Sequence, residues 1–262
     1  MADDVYDIYA IRYGHHHRKS SENFIGGDAH DIPQPLDYFV WAIVGAHGTF
    51  IVDTGFDEIM AQKRQRQVTN PIREGLKAIE IDPERVENVI VTHLHYDHAG
   101  GLLQADGSRA FPRARIVAQR QEWEFGLGTN SRLVASYDQP ELRLVADWGA
   151  EGWTDGDREL LPGVSVVRTG GHSAGHQAIV VRGSGPDARS VAFFGDLAMR
   201  PWSANPRWVT AFDDFPLDSV EVKGELFRRA VEDGWIVVLS HEVRMPVGRL
   251  VPDRDRFKFE AL

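Results

Sequence analysis

Apolar residues along this chain come in short runs, and the runs alternate between the two-residue spacing of strands and the longer spacing of helices. Residues 5–13, 38–44 and 49–53 are rich in β-branched and aromatic side chains, as strands are. A turn segment from Gly45 to Gly48 separates the last two, which predicts a hairpin. From 56 to 79 the pattern turns helical and is interrupted at Asn70-Pro71, where proline can open a second helix. Residues 88–92 form a brief apolar run that ends at a histidine cluster and the pair Gly100-Gly101. This reads as a strand feeding a loop. Further strands are predicted at 114–118, 164–169, 178–182, 190–194 and 235–239, and helices at 119–125 and 219–233. The segment 126–156 carries Trp148 and Trp153 with weak periodicity. It is expected either to cap one end of the sheet or to run over the surface. No short repeat and no Gly/Ser- or Pro-rich linker divides the chain, so one domain over 1–262 is expected, with a cap segment around 126–156.

Composition narrows the chemistry. The 262 residues include 42% hydrophobic side chains, enough for a full core, and no cysteine. Disulfides, thiolate nucleophiles and thiolate metal ligands are all excluded, so a metal would have to be held by imidazole and carboxylate. That draws attention to the 11 histidines. The net charge of -10 gives no basic field for a nucleic-acid partner. Residues 1–14 begin with Asp3, Asp4 and Asp7 and do not read as a secretion signal, and no apolar run is long enough for a membrane span. The expectation is a cytoplasmic protein acting on a small molecule, with no nucleic-acid or membrane partner, as a monomer or homodimer.

The strongest local feature is the run Thr92-His93-Leu94-His95-Tyr96-Asp97-His98-Ala99-Gly100-Gly101. Three imidazoles and a carboxylate within six residues are costly to bring together unless a cation sits among them. If His93 and His95 leave a strand in extended conformation they share a side, and a following turn into a helix aims Asp97 and His98 at a neighbouring position. Two adjacent sites can be served.

This motif resembles the H-x-H-x-D-H signature of the metallo-β-lactamase superfamily of metal-dependent hydrolases. Three later elements are similar to the rest of that family's pattern and stand in its order: Gly171-His172-Ser-Ala-Gly-His176, Gly195-Asp196, and Ser240-His241. The resemblance implies an α/β fold, a metallo-β-lactamase-like αβ/βα sandwich of two mixed β-sheets flanked by helices. It assigns His93, His95 and His172 to one metal and Asp97, His98 and His241 to the other, with Asp196 bridging. Two Zn2+ ions suit that set, and other divalent metals are compatible. His176 is expected to support its turn, and Asp53, in Ile51-Val-Asp-Thr-Gly55, to hydrogen-bond a ligand histidine. The triplet His15, His16, His17 reads as a loop near the cleft or as solvated.

Two cations sharing a carboxylate bring a common water toward ionisation at neutral pH and polarise a carbonyl, which suits acyl cleavage. Asp97 and Asp196 are then the expected catalytic carboxylates. Within the superfamily the resemblance is greatest to the N-acyl-homoserine lactonases, quorum-quenching enzymes that share the runs His93 to Gly101 and Gly171 to Gln177. Opening of a lactone ring by a metal-bridging hydroxide is the implied reaction. The alternatives are another carbonyl hydrolase of this fold, an esterase, thioesterase or β-lactam hydrolase, and then a nuclease. One departure stands out: Met199 occupies a position where those lactonases commonly have tyrosine. Methionine donates no hydrogen bond. Met199, Arg200, Trp202 and His16 are the candidate substrate contacts. Tyr13 is a further candidate to replace the missing donor, and Trp208, Phe212 and Phe215 could line an apolar pocket. Arg200 would pair with a substrate carboxylate.

Overall fold

Two seven-stranded sheets, both mixed, organise the computed structural model, which describes residues 5–146, 148, 152–184 and 188–262. They belong to two units, one of residues 6–16 and 38–156, the other of residues 17–37 and 157–262 together with residue 5.

The chain enters with β1 (Tyr6–His16), a single helical turn α1 (Ser20–Asn23), and the hairpin β2 (Leu36–Gly45) and β3 (Gly48–Val52). The hairpin pairs Trp41 with Val52 and Gly45 with Gly48, as the alternation predicts. Next come α2 (Glu58–Arg64), the two-residue β4 (Gln67–Val68), α3 (Ile72–Ala78) and β5 (Asn88–Ile90). The one-turn α4 (Tyr96–Ala99), β6 (Arg115–Gln119), α5 (Arg120–Gly126), α6 (Gln139–Ala146) and β7 (Trp153–Thr154) complete this unit, to which all these elements belong except α1 and the first two residues of β2. Its sheet runs β4-β1-β2-β3-β5-β6-β7. The strands β3, β5, β6 and β7 pair in parallel, each across a helical connection, and Val89 and Ile90 of the short β5 are both buried because a parallel strand is covered on both faces.

In the second unit β8 (Arg158–Leu161), β9 (Val164–Arg168), β10 (Gln177–Arg182) and β11 (Ser190–Phe193) precede α7 (Pro216–Glu232). The chain ends with β12 (Ile236–Val238), β13 (Val247–Asp253) and β14 (Arg256–Ala261). The sheet order is β14-β13-β12-β11-β10-β9-β8. Only β11 and β12 pair in parallel, because α7 carries the chain between them, while every other neighbour turns back antiparallel. Pro216 opens α7 at the position that needs no N–H donor. The helix buries Leu226, Phe227 and Ala230 into a core with Phe194 and Trp235.

Three differences from the sequence reading concern position. The helical stretch 56–79 is split by β4 as well as by proline. His15 and His16, read as loop or solvated, end β1, because β4 supplies a partner that opposes His15 with Gln67 and Gly14 with Val68. The hairpin of β13 and β14 was not anticipated. In the segment 126–156 the chain forms a 3-10 turn at Ser131–Ala135 and then α6, while residues 147 and 149–151 lie outside the described residues, as do Asp3 and Asp4. Among the described residues no helix is long and apolar enough to cross a membrane.

Candidate metal centre

In the first unit the histidine motif begins where β5 ends. Asp53, just past β3, has a left-handed backbone (φ 61°), a conformation Asp tolerates better than most residues. Its Oδ1 accepts the Thr92 N–H at 2.7 Å and its Oδ2 the His98 Nδ1–H at 2.8 Å. Thr92 Oγ1 donates to the same carboxylate at 3.0 Å and lies 3.1 Å from His93 Nδ1. A second tie joins the two turns: the Thr54 N–H donates to the His98 carbonyl at 2.7 Å. The turns approach so closely that a Cβ on Gly101 would stand 2.1 Å from the Thr54 carbonyl oxygen, which accounts for glycine there.

The result is a buried imidazole cluster. The rings of His93 and His95 are 4.4 Å apart and those of His93 and His98 4.1 Å. His98 Nε2 is 3.9 Å from Asp97 Oδ2. Glu122 holds the motif from behind by accepting the Leu94 N–H at 3.0 Å and the Tyr137 hydroxyl at 3.1 Å, while the Tyr137 ring lies edge-on to His95. Tyr13, fully buried, donates to the Asp97 carbonyl at 2.9 Å, so its hydroxyl is already engaged. Burial, with the charge of Asp97 added, holds that phenol well above its ordinary pKa.

The second unit carries His172, His176, Asp196 and His241. His172 Nδ1–H donates to Asp213 Oδ1 at 2.9 Å, and His241 Nδ1–H to the Asp37 carbonyl at 2.9 Å. Both rings therefore turn Nε2 toward Asp196. His172 Nε2 lies 3.6 Å from Asp196 Oδ2, and His241 Nε2 lies 3.0 Å from Asp196 Oδ1. Each carboxylate oxygen faces a different imidazole. Ser240 Oγ donates to Oδ1 at 2.9 Å and fixes the carboxylate's orientation. His176 is turned away to Thr169, whose Oγ1 is 2.6 Å from its Nδ1.

The donor set fits a divalent cation. With Nδ1 protons committed to Asp213 and to the Asp37 carbonyl, lone pairs on Nε2 face carboxylate oxygens, and acceptors facing acceptors repel unless a proton or a metal lies between them. The 3.6 Å separation is beyond hydrogen-bond reach. Ligand atoms on one tetrahedral zinc stand about 3.3 Å apart, given bonds of roughly 2.0–2.1 Å. Asp213, buried, is pushed up by desolvation but held below its ordinary pKa by the hydrogen bond and charge of His172, the Thr210 N–H and Lys223. It stays an anion and so fixes the tautomer of His172.

The four candidate substrate contacts fall in different surroundings. Met199 is buried, its carbonyl accepts the His241 N–H at 2.9 Å, and its N–H donates to Ser203 Oγ at 3.1 Å. Arg200 pairs with Glu242 at 3.3 Å and donates to the Pro35 carbonyl at 2.5 Å, so protein groups take up its guanidinium. Trp202 and Trp208 pack edge-on against Phe24, and Phe212 lies under Arg18. Phe215 precedes α7. His16 Nε2 is 3.1 Å from Arg66 Nη1. Sequence reasoning missed Asp213, Thr92, Glu122, Ser240 and the Asp37 carbonyl. Of these, Thr92 and Ser240 stand inside the quoted motifs, while Asp213, Glu122 and the Asp37 carbonyl lie far from them in sequence.

A sequence profile of the metallo-β-lactamase superfamily matches residues 33–241. An N-acyl homoserine lactonase from Bacillus thuringiensis is 33% identical over 160 residues, 56% of this chain and 58% of that protein. An N-acyl homoserine lactonase from a Bacillus species is 30% identical over 162 residues, 56% and 59% of the two chains. The chain thus spans less than two thirds of the length of these relatives. Among solved structures, a probable metal-dependent hydrolase from Staphylococcus aureus superposes with a TM-score of 0.83 at 21% identity, covering 100% of this chain and 99% of that one. A dizinc quorum-quenching lactonase in complex with a homoserine product gives 0.84 at 14% identity, covering 100% and 96%. At these identities the two structures speak for the fold. Because the profile runs through all four histidine and aspartate motifs and covers most of the sequence, the chain belongs to the metallo-β-lactamase superfamily.

Proposed function

We propose that the protein is a metal-dependent hydrolase that opens a lactone ring, and that its ligands form two sets: His93, His95 and His172 for one ion, and Asp97, His98 and His241 for the other, with Asp196 shared. The observation that carries this reading is the Asp196 carboxylate, which turns one oxygen to His172 and the other to His241 while Ser240 keeps it from rotating. Bound divalent cations, zinc by the donor types, would supply a water acidic enough to attack near neutral pH and a Lewis acid for a carbonyl oxygen.

The protein's own part is orientation. Asp53, Asp213 and the Asp37 carbonyl each take an imidazole Nδ1–H, which fixes the ring and aims Nε2. Such partners raise the basicity of the ligand nitrogen. The curated N-acyl homoserine lactonases support lactones as substrates. The buried Met199 and the engaged Tyr13 favour a second reading beside it, a related ester or lactone whose leaving oxygen needs no phenol donor.

The test is elemental analysis of purified protein followed by hydrolysis of lactones with different acyl chains. Wild-type protein should carry close to two ions and open at least one lactone. His93→Ala and Asp196→Ala should each lose bound metal and lower kcat/KM by at least about a thousandfold, the scale of removing a group that acts in the transition state. Full activity with normal metal content in either variant defeats the assignment.

A further inference from the structure

The run Lys63-Arg64-Gln65-Arg66 has no place in the proposed hydrolysis, yet two of its cations gather on the metal-binding motif. The Arg64 guanidinium carbon stands 4.5 Å from the centroid of the Tyr96 ring. Arg66 Nε donates to the Tyr96 hydroxyl at 3.1 Å. Tyr96 stands between His95 and Asp97 in sequence, so both arginines rest on the side chain in the middle of the motif.

Their remaining hydrogen-bond partners carry no negative charge, and the nearest charge acting on Arg66 is that of Asp97, itself a candidate metal ligand. Arg64 donates to the Val134 carbonyl at 3.3 Å and to the Ala135 carbonyl at 2.5 Å, and its buried Nε makes no protein hydrogen bond. Arg66 Nη1 donates to the Arg64 carbonyl and lies 3.1 Å from His16 Nε2. Three other cations of this protein have a carboxylate partner: Lys63 pairs with Asp138 at 3.1 Å, Arg120 with Asp155 at 3.1 Å and Arg200 with Glu242 at 3.3 Å. Two guanidiniums held half-buried on one ring, neither hydrogen-bonded to a carboxylate, repel one another, and an anion between them relieves the repulsion. The carbonyl end of α2 accounts for Lys63 and Arg64, which lie in its last turn. It does not account for Arg66. Gln65, left-handed at φ 57°, ends the helix, and Arg66 lies beyond it, directed to the Tyr96 hydroxyl.

We infer that Arg64 and Arg66 are specificity residues that bind a carboxylate on the non-reacting part of the substrate, so that the preferred substrate is an acidic lactone or ester. The inference rests on the hydrolase reading above. It replaces Arg200, already paired with Glu242, as the site for a substrate carboxylate.

Matched probes separate this claim from the reading beneath it. N-succinyl, N-adipoyl and N-suberoyl homoserine lactones are compared with the butanoyl, hexanoyl and octanoyl lactones of equal chain length. In wild-type protein kcat/KM should favour at least one acidic member by about tenfold or more, since a hydrogen bond to a charged group contributes roughly 1.5–3 kcal/mol. In Arg66→Gln and in Arg64→Gln/Arg66→Gln the ratio should fall toward one, through KM, with Arg66→Lys retaining part of it. A second readout needs no turnover: calorimetric Kd values for ring-opened N-adipoyl homoserine and N-hexanoyl homoserine. Wild-type protein should bind the first more tightly, the advantage should shrink with added salt, and Arg66→Gln should abolish it. A wild type without preference, or variants that weaken both compounds equally, overturns the inference. If no lactone is opened, the hydrolase reading fails and the calorimetric comparison still decides whether the arginines select an anion.

Discussion

Three of the candidate ligand histidines have the same local chemistry: Nδ1–H is given to an acceptor fixed by the backbone, which leaves Nε2 as the outward-facing atom. The acceptors differ in how visible they are in the sequence. Asp53 is readable because it sits in Ile51-Val-Asp-Thr-Gly55, a strand-to-turn junction where a short acidic side chain can take a left-handed backbone. Asp213 is not readable, because 41 residues separate it from His172 and nothing local announces the pairing. The Asp37 partner is a main-chain carbonyl and leaves no residue signature at all. Asp213→Asn tests how much such a partner contributes. The amide keeps the shape but removes the charge that stabilises the Nδ1–H tautomer, so metal affinity should fall about 10–100-fold in competition with a chelator. Unchanged affinity would show that Asp213 only packs.

Elements were legible where their period was clean and bounded by turn residues, as in β2, β3, β9, β10 and α7. They were hidden where a strand is too short to show a period, as in β4 and β7, or where glycine and proline interrupt it, as at Gly248 and Pro252 in β13. The segment between α5 and β7 was the least legible, and one of its helices carries a titrating group. Glu141, in α6, accepts the Leu103 N–H, and burial pushes its carboxyl up to about 8. The sign follows from proton counting. Between about 4.5 and about 8 the unfolded chain has released a proton that the folded protein keeps, so folding stability falls as pH rises through that window. Glu141→Gln keeps an acceptor for Leu103 without the titration. Denaturant unfolding at pH 5 and pH 8 should show wild-type protein losing more stability than the variant, and equal losses would reject burial as the cause.

For the whole molecule, the order of the four histidine and aspartate motifs carried the family reading, because residue types at long range are preserved in sequence even when their partners are not. The sheet order was beyond reach, since pairing depends on contacts between distant segments. The proposed ligand sets join residues as far apart as Asp97 and His241, so metal binding should be coupled to folding. Chelation should lower Tm by about 5–10 °C if the ions stand a hundredfold above their Kd, and resupply of zinc should restore it. A Tm indifferent to chelator would argue that the ions do not stabilise the fold.

The two sheets also decide how this protein meets its own copies in a concentrated solution. Of the four outermost strands, β4 and β7 are two residues long, β8 is four, and β14 is six. The longest of them spaces Arg256, Lys258 and Glu260 at every second position, so a neighbouring chain adding to that border would have to match both signs of charge. Growth of a continuous intermolecular ribbon is thereby discouraged at every border, by brevity at three of them and by alternating charge at the fourth.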